Sequence, residues 1–169
     1  MRESGYVSVT HHVLIDAAPD EVWEWNNAAS RTLQSIVQFE NYPAVVGTTP
    51  LIGDWQPGGR EGNRRRVEFA DGHYLAEEAL VDTRETFRYM IWGFTNAQRF
   101  AVSHGLAEFS FAAEGDRTRL TWTYSFLPAT NLLRPAVARF LTRTMSPMMT
   151  ATLAAVRTGI ETDIRDGAR

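Results

Sequence analysis

The chain has 169 residues, 44% of them hydrophobic and 22% charged, which is the composition of one globular domain rather than of a disordered or collagen-like chain. Its net charge of -3 offers no general attraction to nucleic acid or to an anionic membrane. There is no Cys and no Lys, all 17 basic residues being Arg, so thiolate nucleophiles, disulfides, cysteine-ligated metals, Schiff-base lysines and P-loop lysines are excluded.

The first segment carries no apolar run behind a basic start, and no window approaches about 18 uninterrupted apolar residues, so a cytoplasmic protein with no membrane insertion is expected. Val7 to Ile15 alternates as a strand with Val7, Val9, His11, Val13 and Ile15 on one face. Ala18-Pro19-Asp20-Glu21 opens a short helix, with proline in its first turn and two acids at its positive end. Ser30 is placed to cap a second helix reaching about Val37, and Val45 to Leu51 reads as a strand. Hairpin signals follow. Arg64 to Phe69 meets Asp71-Gly72 and returns through His73 to Val81, and Thr86 to Trp92 forms the next strand. A further strand ends at Ala113, turns at Gly115-Asp116 and continues as Thr118 to Phe126. No crossover helix separates these strands, so they are antiparallel neighbours. From Asn131 to about Asp166, apolar residues recur at helical spacing, Phe140, Val156, Ile160 and Ile164 among them, and Pro147 is expected to kink or split the helix near Ser146.

This order of elements resembles the helix-grip fold of the START / Bet v 1-like (SRPBCC) superfamily, and within it the polyketide cyclase/dehydrase and lipid-transport branch. The likeness is carried by Ile15-Asp16-Ala17-Ala18-Pro19-Asp20-Glu21-Val22-Trp23, by the Gly-rich stretch before Arg64, by the Asp71-Gly72 hairpin with Glu77 and Glu78 after it, and by Thr118-Arg119-Leu120-Thr121-Trp122. It implies an α+β domain over residues 1–169, in which a curved antiparallel β-sheet wraps around a long C-terminal helix and two short helices follow the first strand. It also implies an apolar ligand cavity between sheet and helix. These motifs mark fold rather than chemistry.

A two-residue Asp71-Gly72 turn would set Phe69 opposite Tyr74, Val67 opposite Ala76 and Arg65 opposite Glu78. The apolar phase (Val67, Phe69, Tyr74, Ala76, Leu80) then faces inward and carries Arg65 and Glu78 with it, leaving Glu77 outside beside Arg66. Two charges on an inner face are costly unless paired, and a cross-strand neighbour is the cheapest partner. Arg65 and Glu78 are therefore candidates to bind a carbonyl or phenolate and to move protons; the other reading is a structural ion pair at the open end of the sheet. His11 shares the inner phase of its strand, as a cavity base or as a satisfied core histidine. The Gly115-Asp116 turn puts Phe109 opposite Trp122 and Ala107 opposite Tyr124, with Phe87, Tyr89 and Ile91 as the matching inner set. Tyr74, Tyr89, Phe109, Trp122, Tyr124 and Met148 are thus predicted to contact a ligand.

No metal-ligand spacing exists, the segment from Gly53 to Gly62 matches no phosphate fingerprint, and no cofactor is expected. That segment reads as a loop whose Trp55 covers the cavity entrance, and Phe94 to Gln98 reads as a second mouth loop. Two functions remain open. One is an enzyme that cyclises, aromatises or dehydrates an aromatic or polyketide-like substrate by acid/base chemistry, which needs little more than a shaped pocket and one or two proton-transfer groups. The other is a carrier or sensor that holds a lipid or aromatic metabolite without turnover. In either case the partner is a hydrophobic small molecule, with no nucleic acid, and the protein is a monomer or homodimer.

Overall fold

In the computed structural model, which describes residues 5–37 and 42–167, seven strands form one antiparallel sheet. They are β1 (Val7–Ile15), β2 (Val45–Ile52), β3 (Arg64–Phe69), β4 (Tyr74–Asp82), β5 (Thr86–Trp92), β6 (Val102–Glu114) and β7 (Arg117–Pro128). Their spatial order is β1-β7-β6-β5-β4-β3-β2, so every connection except the β1–β2 excursion joins neighbours, and β1 closes on the last strand. That excursion carries α1 (Pro19–Asn27) and α2 (Leu33–Ile36). The Glu21 carboxylate accepts the Ala18 backbone N–H, so the acid read as a favourable charge also caps α1 directly. α2 is shorter than expected. Thr32 rather than Ser30 precedes it, and its single turn is closed by Ser35, whose side chain accepts the Thr32 N–H.

The C-terminal helical stretch fills the concave side of the sheet. A short 3₁₀ turn (Asn131–Leu133) leads into α3 (Arg134–Phe140), a π-helical turn (Leu141–Met145) and α4 (Ser146–Gly167). The expected break at Pro147 takes the form of this π turn. Proline has no N–H for the preceding carbonyls, and the wider turn accommodates its ring without interrupting the helix. Val156 and Ile160 are buried and Phe140 packs over Phe126, as the helical spacing predicts, whereas Ile164 is exposed.

Close packing leaves no room for a side chain at Gly105, between neighbouring strands, or at Gly159, between α1 and α4. A Cβ on Gly105 would sit 2.4 Å from the ring of the cross-strand Phe126, and one on Gly159 would sit 2.5 Å from Trp25. Gly105→Ala is expected to cost about 1–3 kcal/mol by overpacking, read as a lower urea midpoint. An unchanged midpoint would show that Phe126 moves aside freely.

Candidate functional site

The space between sheet, α4 and the α1–α2 excursion is a cavity of about 360 Å³. Its walls are mostly apolar and aromatic, because the inner phases of β3 to β7 supply Val67, Phe87, Ile91 and Trp122, and the helices supply Met148 and Val156. Of the residues predicted to contact a ligand, Tyr89, Phe109, Trp122, Tyr124 and Met148 all line it. The predicted pairs Phe109–Trp122 and Ala107–Tyr124 are present in register, and the Phe109 and Trp122 rings stack at 4.7 Å.

The first hairpin departs from expectation. Phe69 N–H donates to the His73 carbonyl, so the loop has three residues, Ala70-Asp71-Gly72, with Gly72 at φ +82°. A type I turn closed by a left-handed glycine needs that extra residue, and it slides β4 by one position relative to β3. Arg65 therefore faces Glu77, and Arg64 faces Glu78. Because side chains alternate, the one-residue slip reverses β4 completely: Leu75, Glu77 and Ala79 point inward, and Tyr74, Glu78 and Leu80 point outward. Tyr74 and Glu78 thus lie on the outer face. Tyr74 is 44% exposed under the Arg66 guanidinium, and Glu78 is held at 2.9 Å by the exposed Arg64.

The inward carboxylate is Glu77. Arg65 Nε donates to Glu77 Oε2 at 2.7 Å, and a second guanidinium nitrogen reaches the same oxygen at 2.7 Å. Both side chains are largely buried and both line the cavity. Beside them the Tyr89 and Tyr124 hydroxyls meet at 3.2 Å. Burial pushes both phenols well above their ordinary range, and the negative charge of Glu77 pushes them further in the same direction. They are neutral donors at any physiological pH. A carboxylate, a guanidinium and two protonated phenols thus converge in an otherwise apolar space, an arrangement suited to taking a proton from carbon and stabilising the oxyanion that results.

The Gly-rich segment is pinned by an ion pair that the sequence did not single out. Arg60 and Asp82 are both buried and doubly bonded, Nε to Oδ2 at 3.0 Å and an Nη to Oδ1 at 2.7 Å. Asp82 Oδ2 also accepts the backbone N–H groups of Gly58 and Arg60. Burial raises the Asp82 carboxyl, but the Arg60 bonds and these N–H groups outweigh it and hold the group below the usual carboxylate range. In the sequence the pair's one trace is an Arg among glycines and an Asp at a strand end. So anchored, the loop lays Trp55, at φ +58°, between the Arg65 guanidinium (4.2 Å) and the edge of Phe87. Trp55 lines the cavity as a fixed part of its wall.

His11 is not among the cavity's lining residues. Its Nε2 lies 2.6 Å from Ser146 Oγ, so the ring ties β1 to the first turn of α4, and this bond accounts for its place on the inner phase. The second mouth loop does border the cavity. Tyr42 Oη donates to Gln98 Oε1 at 2.8 Å, Asn96 supports the same amide, and Phe94 and Gln98 line the wall. Asn26 and Asn27 of α1 and Arg31 line another part. Among the described residues no cluster of His, Asp and Glu could hold a metal ion, and no helix is long and apolar enough to cross a membrane.

Residues 6–161 match the family described as polyketide cyclase / dehydrase and lipid transport. The chain belongs to this family, and with its helix-grip architecture it falls in the Bet v 1-like superfamily. A search of curated proteins gives no match. Among solved structures, a norcoclaurine synthase from Thalictrum flavum in complex with a transition-state analogue aligns with a TM-score of 0.69 at 14% identity, covering 94% of this chain and 96% of that one. An aromatase/cyclase from a Streptomyces species aligns with a TM-score of 0.65 at 20% identity, covering 94% and 96%. Ara h 8.0201 aligns with a TM-score of 0.67 at 13% identity, covering 94% and 99%. At these identities the likeness is one of fold.

Proposed function

We propose that this protein binds a hydrophobic aromatic or polyketide-like small molecule in its cavity and catalyses cyclisation, aromatisation or dehydration by acid/base chemistry. The observation that carries this reading is the Arg65–Glu77 pair, buried in the cavity wall beside two phenols kept protonated by burial. In the proposed reaction Glu77 takes a proton from a carbon flanked by carbonyls, and Arg65 stabilises the enolate oxygen. The carbanion attacks a second carbonyl carbon to close the ring, and a phenol hydrogen bond steadies the new alkoxide until it is protonated. Loss of water then gives the aromatic product. The sequence of steps is redox-neutral and needs no cofactor. The Trp55 ring packs on the Arg65 guanidinium, which fixes the geometry before substrate enters.

A carrier without turnover is the second reading, and one observation favours it: Arg65 and Glu77 satisfy each other without a ligand, as a structural ion pair would. The reading of a hydrophobic ligand is tested by mass spectrometry of small molecules extracted from the purified protein, together with titration by aromatic dyes. An aromatic or polyketide-like compound in the extract is the expected result. Co-purification of only sugars or nucleotides, with no affinity for aromatic probes, would overturn it.

A further inference from the structure

Two buried polar atoms find no hydrogen-bond partner among the described residues, Trp122 Nε1 and Arg31 Nε. Both belong to residues lining the same cavity, and both are donors. A buried N–H without an acceptor is rare and costly, and it calls for an explanation. The two tryptophans of α1 show the contrast: the Trp23 indole donates to the Thr83 carbonyl and the Trp25 indole to Asp163. Trp122 is 2% exposed, and stacking on Phe109 fixes its ring plane. No backbone carbonyl or side chain among the described residues accepts its indole N–H.

We infer that the indole N–H of Trp122 is a ligand-reading donor, and that the cavity selects fused-ring compounds carrying a carbonyl oxygen over hydrocarbons of the same shape. This rests on the cavity being a ligand site, as proposed above, and adds which chemical class it takes and which atom reads it. The unsatisfied donors point to a ligand rich in acceptors. A plain acyl chain would leave the indole as unpaired as it is without a ligand, whereas a ketone oxygen against Nε1 turns the cost of burial into selectivity. Arg31 extends the same preference toward the α1–α2 side. Its guanidinium makes an ion pair with Asp163 at 2.6 Å through a terminal nitrogen and stacks on Trp25, and the buried Nε takes part in no hydrogen bond among the described residues.

The test uses two tricyclic probes that differ by one oxygen, 9-fluorenone and fluorene, titrated calorimetrically into the full chain and into Trp122→Phe, which keeps an aromatic ring and removes the donor. The ratio of fluorenone to fluorene affinity is expected to fall in the variant by roughly threefold to tenfold, the range that one hydrogen bond supplies net of water. Taking the ratio removes the different solubilities of the two probes. In the unaltered protein, the ¹⁵N–¹H resonance of the Trp122 indole should move downfield with fluorenone and much less with fluorene, a readout that does not depend on the variant folding. An unchanged ratio in a folded variant, or an indole resonance that both probes move equally, would overturn the assignment while leaving the ligand site intact. If neither probe binds the unaltered protein, the ligand-site reading fails and this assignment falls with it.

Discussion

Glu77→Gln should lower product formation by about 10² to 10⁴ per folded molecule, the loss expected when a positioned general base is removed, while Glu78→Gln should leave it within about twofold. The two carboxylates are adjacent in sequence and opposite in consequence. Glu77 points into the cavity against Arg65, and Glu78 points outward against the exposed Arg64. Both substitutions keep the shape of the side chain, so the comparison isolates charge at the inner face. Glu77→Gln leaves a guanidinium in a poorly solvated wall, and some stability will be lost whatever the catalytic role. The fair control is therefore Arg65→Met with Glu77→Leu, which removes both charges together and should recover most of the melting temperature without recovering turnover. Burial keeps Tyr89 and Tyr124 protonated, so no fall in rate near pH 10 should trace to their ionisation. Equal losses in Glu77→Gln and Glu78→Gln, or full activity in a folded Glu77→Gln variant, would remove Glu77 from the mechanism.

That contrast is also where the sequence ceased to be decisive. The order of elements, the inner phases of β5, β6 and β7 and the buried face of α4 were legible, because each carries an apolar alternation of one clear phase or a turn of one clear length. On β4 both phases look alike. Tyr74, Ala76 and Leu80 compete with Leu75, Ala79 and Val81, and each phase brings one glutamate with it. Asp71-Gly72 fits a two-residue turn as well as the last two positions of a three-residue loop, so only the closing bond from Phe69 to His73 settles the register. Three consecutive arginines on β3 facing two consecutive glutamates guarantee a cross-strand ion pair in either register. Hence the sequence indicated that an inner Arg–Glu pair exists and that Arg65 belongs to it, but named the wrong glutamate. His11 follows the second of its two readings, a satisfied histidine: its inner phase is legible, whereas the partner that satisfies it, Ser146, lies 135 positions away and leaves no local trace. Arg60 and Asp82 carry no phase signal in the sequence, because Arg60 lies in a loop and Asp82 ends β4 beyond a register shift between Ala79 and Val81.

Asp82→Ala should destabilise the fold by about 3–5 kcal/mol, the cost of stranding a buried charge, since it leaves the Arg60 guanidinium and two backbone N–H groups without their acceptor. Glu85→Ala, an exposed carboxylate in the adjacent turn, should stay within about 0.5 kcal/mol by the same urea titration. The loss should reach the cavity as well. With Asp82 gone, Arg60 and the Gly58 and Arg60 N–H groups lose the acceptor that anchors the loop laying Trp55 on Arg65, and ligand affinity and turnover should both decline even in molecules that remain folded at low temperature. The pH dependence has a definite sign. The Asp82 carboxyl is held below its ordinary value in the folded chain, so its contribution is complete above the unfolded pKa, about 3.9, and is lost as the pH falls through the lower folded value. The unaltered protein should therefore lose this share of its stability only below about pH 4, and Asp82→Asn, which cannot titrate, should be less stable at neutral pH and show a flatter acid limb. The two curves should converge in strong acid, where both side chains are neutral. Parallel curves from pH 7 down to pH 2, or an Asp82→Ala variant with an undiminished urea midpoint, would show that the loop is held by something other than this pair, and that the wall supporting Arg65 does not depend on it.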